Sequence, residues 1–438
     1  MIRLAYVFER FPSFTQTFCV REIEQLERLG VWPLIFSIRD TRDEAIQHFP
    51  KALMDRVHFL PQRDELIKQV RDWKDEKGLP RAAALVLRHW GGRGDKARVY
   101  EAAYIAKIIA DLPAAERPQH VHSHFAGVGA RTCWWLRKFS GVSYSFTAHA
   151  NDIFCKPEDE TVPFPSLFEE AALIVTVSDY SANQLRERFP SAASRVRRVY
   201  NGMDLAPFTE ARAKANRFQS QGGILSVGRL IEKKGYADLI TACGLLRDQE
   251  VSFYCRIVGE GPLEAELKAQ IESLGLEDNV ELAGPKDIAE IRKLMAERTQ
   301  VFALACATEH DGGKDNLPTV LMEAMAAALP CISTRLAGVP EMVLDGLTGL
   351  LCSERKPEAL ARHLYALLND PSQCDKFGRA GLEHATRTFS RDVTGTQLLA
   401  AFGDLEGFWK SLTVRQFRRR APKVHGKSFN LERFMSGR

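Results

Sequence analysis

The chain has 438 residues, 45% hydrophobic and 26% charged, with nine cysteines and a formal charge of +4. These values exclude a disordered polymer, a disulfide-stapled miniprotein and a fibrous repeat, and at about 150 residues per domain they imply two or three domains, each with its own core. No apolar run approaches the roughly 18 residues needed to cross a bilayer, and the cysteines, odd in number and never in a C-x-x-C pair, are expected to be reduced and buried in a cytoplasmic protein.

Residues 2–8 predict a first, buried strand. Glu9 and Arg10 place charges where the apolar core of a secretory signal would still be running, so no export signal is expected. The loop 9–16 then falls at the ligand-facing edge of a sheet, with Arg10 and Thr15 as candidate ligand contacts. Ser13 and Gln16 have the spacing of a capping box, and Phe18, Cys19, Ile23 and Leu26 form the stripe of a helix that stops at Gly30. A second strand is expected over 32–38, followed by an insert at 64–112. Within the insert, residues 81–90 are apolar between basic residues, which fits a core helix with snorkelling arginines or a helix lying on a membrane surface.

Residues 120–125 are the next strand, and the two-residue alternation puts His120, His122 and His124 on one face. Such a row can hold a divalent ion, but no further cluster with ligand spacing completes the shell. No metal is therefore expected, and the row is read as packing or as lining a cleft, with His124 a third candidate ligand contact. Strands at 144–147, 173–177 and 197–200 complete this series, and His149 follows the first of them at the same sheet edge. Residues 201–223 are polar and punctuated by glycine and proline, which places a domain boundary near 205.

A second series of apolar runs covers 223–228, 251–258, 280–283, 301–306, 331–334 and 349–352. Near-continuous apolar strands alternating with helices indicate parallel sheets covered on both faces. The expected fold class is α/β, with two doubly wound, Rossmann-like domains at 1–205 and 206–390, and a helix at 391–410 returning to the first. After the first strand of the second series, Arg229 and Lys234 are two cations able to neutralise a diphosphate. The polar loop 308–317 leads from another strand into a helix whose predicted first position is Pro318. Free backbone amides and the helix macrodipole converge at such a point and favour phosphate. Asp315 precedes this helix and Glu323 lies eight residues later; two carboxylates beside an anion site call for a hydroxyl-rich ligand such as a sugar and a ribose.

At these residues the chain resembles the retaining glycosyltransferases of family 4, which have the two-domain GT-B fold with a central cleft. Asp315 to Glu323 has the spacing of that family's E-x7-E element, with Asp at the first position, and Glu323 opens Glu-Ala-Met-Ala. Gly228-Arg229-Leu230 with Lys234-Gly235, Val258-Gly259-Glu260-Gly261, Gly338-Val339-Pro340-Glu341, the stretch 146–152 and Tyr200-Asn201-Gly202 add further segments. The resemblance spans roughly residues 1–405.

It implies that Glu323 binds the ribose of a nucleotide-diphosphate sugar, that Asp315 binds a hydroxyl of the transferred sugar, and that Asn316 and Leu317 offer backbone amides. Because Asp is one methylene shorter than Glu, Glu309 is the alternative to Asp315. His149 is assigned beside the donor sugar near the reacting carbon. The expectation is a metal-independent hexosyltransferase whose acceptor is a saccharide, free or lipid-linked, in surface polysaccharide synthesis, with Arg10, Thr15 and His124 on the acceptor side and the donor's phosphate the alternative contact for the loop 9–16.

Two alternatives stay open: a nucleotide-sugar epimerase on the same fold, and a non-catalytic nucleotide- or polyanion-binding protein. A glycoside phosphorylase lacks its pyridoxal-lysine context, and the absence of a G-x-G-x-x-G fingerprint argues against a dinucleotide oxidoreductase. No nucleic-acid partner is expected. The charge is uneven: residues 411–438 carry +7 and the rest −3. That tail, with Phe417, Phe429 and Phe434 among its bases, is either simply solvated or a contact for anionic lipid on the inner face of a membrane.

Overall fold

The computed structural model describes residues 2–13, 16–45, 49–90, 95–154, 164–214 and 222–411. The basic tail and Thr15 lie outside these residues. Two parallel sheets organise the chain. The first is built from β1 (Leu4–Arg10), β2 (Leu34–Arg39), β3 (Val57–Phe59), β4 (His120–His124), β5 (Ser143–Ala148), β6 (Leu173–Thr176) and β7 (Val196–Arg198), in the order β3-β2-β1-β4-β5-β6-β7. The second comprises β8 (Gly223–Val227), β9 (Tyr254–Val258), β10 (Val280–Leu282), β11 (Val301–Leu304), β12 (Cys331–Thr334) and β13 (Gly349–Cys352), in the order β10-β9-β8-β11-β12-β13.

Strand order reverses between β1 and β4 in one sheet and between β8 and β11 in the other. Helices cover both faces, so the central strands are buried throughout; β4, β5, β8 and β11 have no exposed residue. This is the doubly wound α/β architecture that the apolar strand runs predict. In such sheets the crevice for ligands opens at the carboxyl ends of the strands flanking the reversal.

Local differences from the sequence reading have physical causes. The edge strand β3 escapes it because three residues are too short to show a period, and His58 interrupts the apolar run. The expected capping box at Ser13 does not start the first helix: Gln16 occupies the N-cap without a side-chain cap bond, its N–H donates to the Ser13 carbonyl at 3.0 Å, and the helix runs Thr17–Arg28. Pro318 is the N-cap rather than the first helical residue of Thr319–Ala326. The helix Arg81–Trp90 buries Ala83 and Leu87 in the core of the first sheet, which favours the core-helix reading of that segment. Eight of the nine cysteines are described, and all eight are free and buried.

The chain passes between the two sheets twice. Met203 forms an isolated parallel bridge with Ser390, its N–H donates to the Phe389 carbonyl at 3.0 Å, and the Arg391 N–H returns a bond to Met203 at 3.0 Å. Asp204 and Arg391 add an ion pair at 2.9 Å. The two crossings are therefore laced side by side, next to the boundary expected near 205. Beyond the second crossing, the helix Arg391–Ser411 lies on the helix Thr17–Arg28, with Gln25 donating to Asp392 at 3.2 Å. Leu398 and Phe402 enter the core against Ile23 and Leu26. Burying each such side chain is worth about 1.5–3 kcal/mol, which ties the last helix to the first sheet.

Candidate active site

The carboxyl ends of β8 and β11 bring together most of the predicted donor-side residues. Gly235 follows Lys234 in the left-handed region, at φ 65°, and a Cβ there would lie 1.7 Å from the Ala305 carbonyl oxygen. Only glycine permits this approach, which draws Lys234 down beside the end of β11. Gly259 plays the same part for the Gly228 turn, where an added Cβ would fall 1.9 Å from the Gly228 carbonyl oxygen.

Lys234 Nζ donates to Asp315 Oδ2 at 2.6 Å, with each side chain less than one-fifth exposed. Burial alone would weaken the ammonium, but the Asp315 carboxylate outweighs it and raises the lysine pKa. Lys234 and Asp315 thus form one unit, an arrangement the sequence does not reveal. Glu309, the alternative to Asp315, faces the neighbouring Lys233 at 3.6 Å. Arg229 is exposed and makes no ion pair among the described residues.

The loop that carries Asp315 is anchored on both sides. Glu354 accepts from the Thr308 N–H at 2.6 Å, and Glu232 accepts from the His310 N–H and from Arg355. The loop delivers Asn316, Leu317 and Pro318, all buried, to the start of the helix Thr319–Ala326. Backbone N–H groups of Asn316, Leu317, Thr319 and Val320 have no protein acceptor among the described residues. They form a cluster of donors at a positive helix end.

Glu323 projects from the same helix and is 8% exposed. Burial pushes its carboxyl up to about 7, opposed by the charge of Arg21 from the helix Thr17–Arg28. A carboxyl held near neutrality by desolvation, beside a set of free amides, is a common signature of a binding or reacting group.

Across from this edge stand the ends of β1, β4 and β5. The three histidines of β4 share one face, as predicted, and two of them meet hydroxyls of β5: His120 reaches Ser143 and Ser145 at 2.6 Å, and His122 reaches Ser145 at 2.6 Å and Thr147 at 3.0 Å. His124 borders the same small pocket as Arg10, the other described acceptor-side candidate. It is buried between Glu22, at 3.1 Å from its Nε2, and His149, at 3.0 Å from its Nδ1, because the ends of β4 and β5 turn its ring inward.

Glu22, His122 and His124 bring three potential metal-ligating atoms within 4.8 Å of one another. Both ring nitrogens of His122 already meet Ser145 and Thr147, and both of His124 meet Glu22 and His149, so neither ring has a nitrogen to spare for an ion. Arg10 borders a small pocket of about 40 Å³ together with Gln16, His124, Phe125 and Gly129.

His149 is 8% exposed and lies between Phe18 and Phe125, with ring centroids 4.8 and 4.5 Å away. The backbone N–H of His149 donates to Asp152 Oδ2 at 2.8 Å, which fixes the turn after β5. Phe125, at φ 65°, occupies a left-handed conformation uncommon for an aromatic residue.

The two halves touch through a polar clasp that sequence reasoning missed. Glu341 accepts from the N–H groups of Asp179 and Tyr180 at 2.7 and 2.8 Å, capping the helix Asp179–Arg188, and from the Tyr200 hydroxyl at 3.0 Å. Ser178 donates to Asn316 Oδ1 at 2.7 Å, while the buried Asn316 Nδ2 keeps no partner among the described residues. The motif containing Glu341 is visible in the sequence, but nothing local says which amides it would meet. Glu22 and Arg21 carry no signal beyond being charges on an amphipathic helix.

Comparisons with known proteins bear on the family and the fold. The model for glycosyl transferases group 1 matches residues 207–384, and that for glycosyltransferase family 4 matches residues 17–207. A relative in Escherichia coli K12 named for colanic acid biosynthesis, the glycosyltransferase WcaL, is 35% identical over 91% of this chain and 98% of its own. Among solved structures, a glycosyltransferase from Rickettsia africae superposes with a TM-score of 0.70 at 16% identity, covering 92% of this chain and 98% of that one. Anabaena HepE in complex with UDP-glucose does so with a TM-score of 0.62 at 18% identity, covering 94% and 100%. Its sequence and its fold together place the chain in the family 4 glycosyltransferases, transferases of the GT-B fold.

Proposed function

We propose that the protein is a retaining hexosyltransferase that moves a sugar from a nucleotide diphosphate to a saccharide acceptor in surface polysaccharide synthesis, the acceptor being lipid-linked. The observation that carries this reading is the meeting, at one sheet edge, of four unpartnered backbone amides, the Lys234–Asp315 pair, the exposed cation of Arg229 and the near-neutral Glu323. Such a set matches a diphosphate flanked by two polyols.

In this reading Glu323 receives the ribose hydroxyls. The amides at Asn316 and Leu317, together with Arg229 and Lys234, stabilise the charge that grows on the leaving diphosphate, and no metal is required. Asp315 and His149 hold hydroxyls of the transferred sugar. The first sheet contributes the acceptor side, and movement about the paired crossings near 205 excludes water that would hydrolyse the donor. Among the described residues no carboxylate stands as an evident nucleophile, and in this reading retention follows front-face attack by the acceptor hydroxyl, with its proton passing to the departing phosphate. The E. coli relative, named for colanic acid biosynthesis, supports the setting, and the UDP-glucose complex of Anabaena HepE supports the donor class.

A product assay with labelled nucleotide sugars and undecaprenyl-linked saccharides tests the proposal. Acceptor-dependent transfer with the donor's anomeric configuration kept in the product is expected. Acceptor-independent conversion of the donor to an epimer would contradict it.

A further inference from the structure

A chain of hydrogen bonds runs from the core of the first sheet to the cleft. The Tyr6 hydroxyl donates to Glu22 Oε1 at 2.6 Å, that oxygen faces His124 Nε2 at 3.1 Å, and His124 Nδ1 faces His149 Nε2 at 3.0 Å. We propose that Glu22 and His124 are positioning residues that hold His149 in the tautomer with its proton on Nδ1, so that the ring offers an N–H to a hydroxyl oxygen of the transferred sugar. This rests on the placement of His149 beside the donor sugar given above.

The bonding leaves few choices. An ionised carboxylate only accepts, so His124 Nε2 must carry a hydrogen. Between His124 Nδ1 and His149 Nε2, one nitrogen donates and the other accepts. If His124 is an imidazolium, its Nδ1–H is the donor, His149 Nε2 accepts, and the single proton of a neutral His149 sits on Nδ1. If His124 is neutral, the bond reverses and His149 turns a lone pair to the cleft. The charge on a buried ring thus decides what a second ring presents.

The surroundings favour the charged ring. Six titratable groups face His124: Tyr6 from β1, Cys19 and Glu22 from the helix Thr17–Arg28, His122 from β4, and His149 and Asp152 from the turn after β5. Burial opposes protonation of His124, but Cys19 and Glu22 outweigh it and lift the ring to about 10. Burial raises the Tyr6 hydroxyl, which is neutral at pH 7, and the Cys19 thiol, where the charge on His124 opposes it; the Glu22 carboxylate lies 3.1 Å from His124 Nε2. Asp152, lifted by burial to about 6, is mostly ionised there. His122 and His149 are held well below the ordinary histidine range, first by burial and then by the charge on His124, so neither competes for the proton. Among the described residues His149 Nδ1 has no partner, which leaves that edge of the ring for a ligand.

The test is the long-range 1H–15N spectrum of histidine-labelled, ligand-free enzyme, with His149→Asn supplying the assignment. At pH 7.5 the proposal expects both nitrogens of His124 protonated and the proton of His149 on Nδ1. The His149 pattern should move to Nε2–H when His124 loses its charge at alkaline pH. In Glu22→Gln the same change should appear at pH 7.5, with kcat lower by about 10- to 100-fold, donor KM little changed, and recovery in Glu22→Asp. A wild-type His149 with its proton on Nε2 at pH 7.5 would overturn the proposal, and the wild-type spectrum alone decides this should Glu22→Gln fail to fold. Because the spectrum is read without donor, it stands or falls separately from the transferase reading, whose own test is the product assay.

Discussion

Glu323 is the residue whose chemistry is most open to measurement. Its carboxyl, raised by burial to about 7, is half protonated in the ligand-free protein near neutral pH. Ribose hydroxyls donate to the ionised form, so donor binding should release a proton. Affinity is then greatest above pH 7 and weakens as pH falls below it, approaching tenfold per unit. Calorimetric titration of a nucleotide sugar between pH 5.5 and 8.5 checks this, and Glu323→Gln should flatten the profile. A wild-type affinity independent of pH would exclude Glu323 from the ribose site. Asp315 makes a different prediction because it both faces the cleft and neutralises Lys234. Breaking a largely buried pair by removing one partner costs about 3–5 kcal/mol. Asp315→Ala should therefore lower urea stability as well as turnover, whereas an unchanged turnover would remove Asp315 from the site.

Among the elements, the turn from β8 into the next helix governs where the cations sit. Gly235→Ala would force a Cβ against the Ala305 carbonyl at a positive φ. We expect a loss of at least about 2 kcal/mol in denaturant unfolding, with donor affinity falling because Lys234 moves. Wild-type stability and affinity in this variant would show that the turn has room to spare. Much at this scale is legible in the sequence. Apolar strand runs locate twelve of the thirteen strands because buried parallel strands are apolar along their whole length, and the loop before Pro318 is recognisable because its strand-to-helix passage has a fixed chemistry. What stays hidden is long-range. The Lys234–Asp315 pair, the Glu22–His124–His149 chain and the Glu341 clasp each join residues tens to more than a hundred positions apart, and a local pattern holds no information about such partners. The Asp at position 315, which looks one methylene too short by spacing alone, makes sense only beside Lys234.

For the whole molecule, the polar contact between the two halves centres on Glu341, beside the apolar cluster that Val177 and Tyr200 share with Leu317 and Val339. Glu341 holds two amides and one hydroxyl of the first half through a single carboxylate. Hydrogen bonds to a charged group are worth about 1.5–3 kcal/mol each in favourable settings. Glu341→Ala should thus loosen the clasp: small-angle scattering should show a larger radius of gyration and kcat/KM should drop, while unchanged dimensions would mean that other contacts hold the halves together.

The central claim is that the edge of the second sheet is a nucleotide-sugar site. Thermal unfolding of the full-length protein with a panel of UDP-, GDP- and ADP-sugars tests it most directly, in wild type and in Glu323→Ala. One donor class at about 100 times its Kd adds about 2.7 kcal/mol and should raise the wild-type midpoint by roughly 2 °C or more, with most of that rise lost in the variant. No shift with any nucleotide sugar, or equal shifts in the two proteins, would contradict the account.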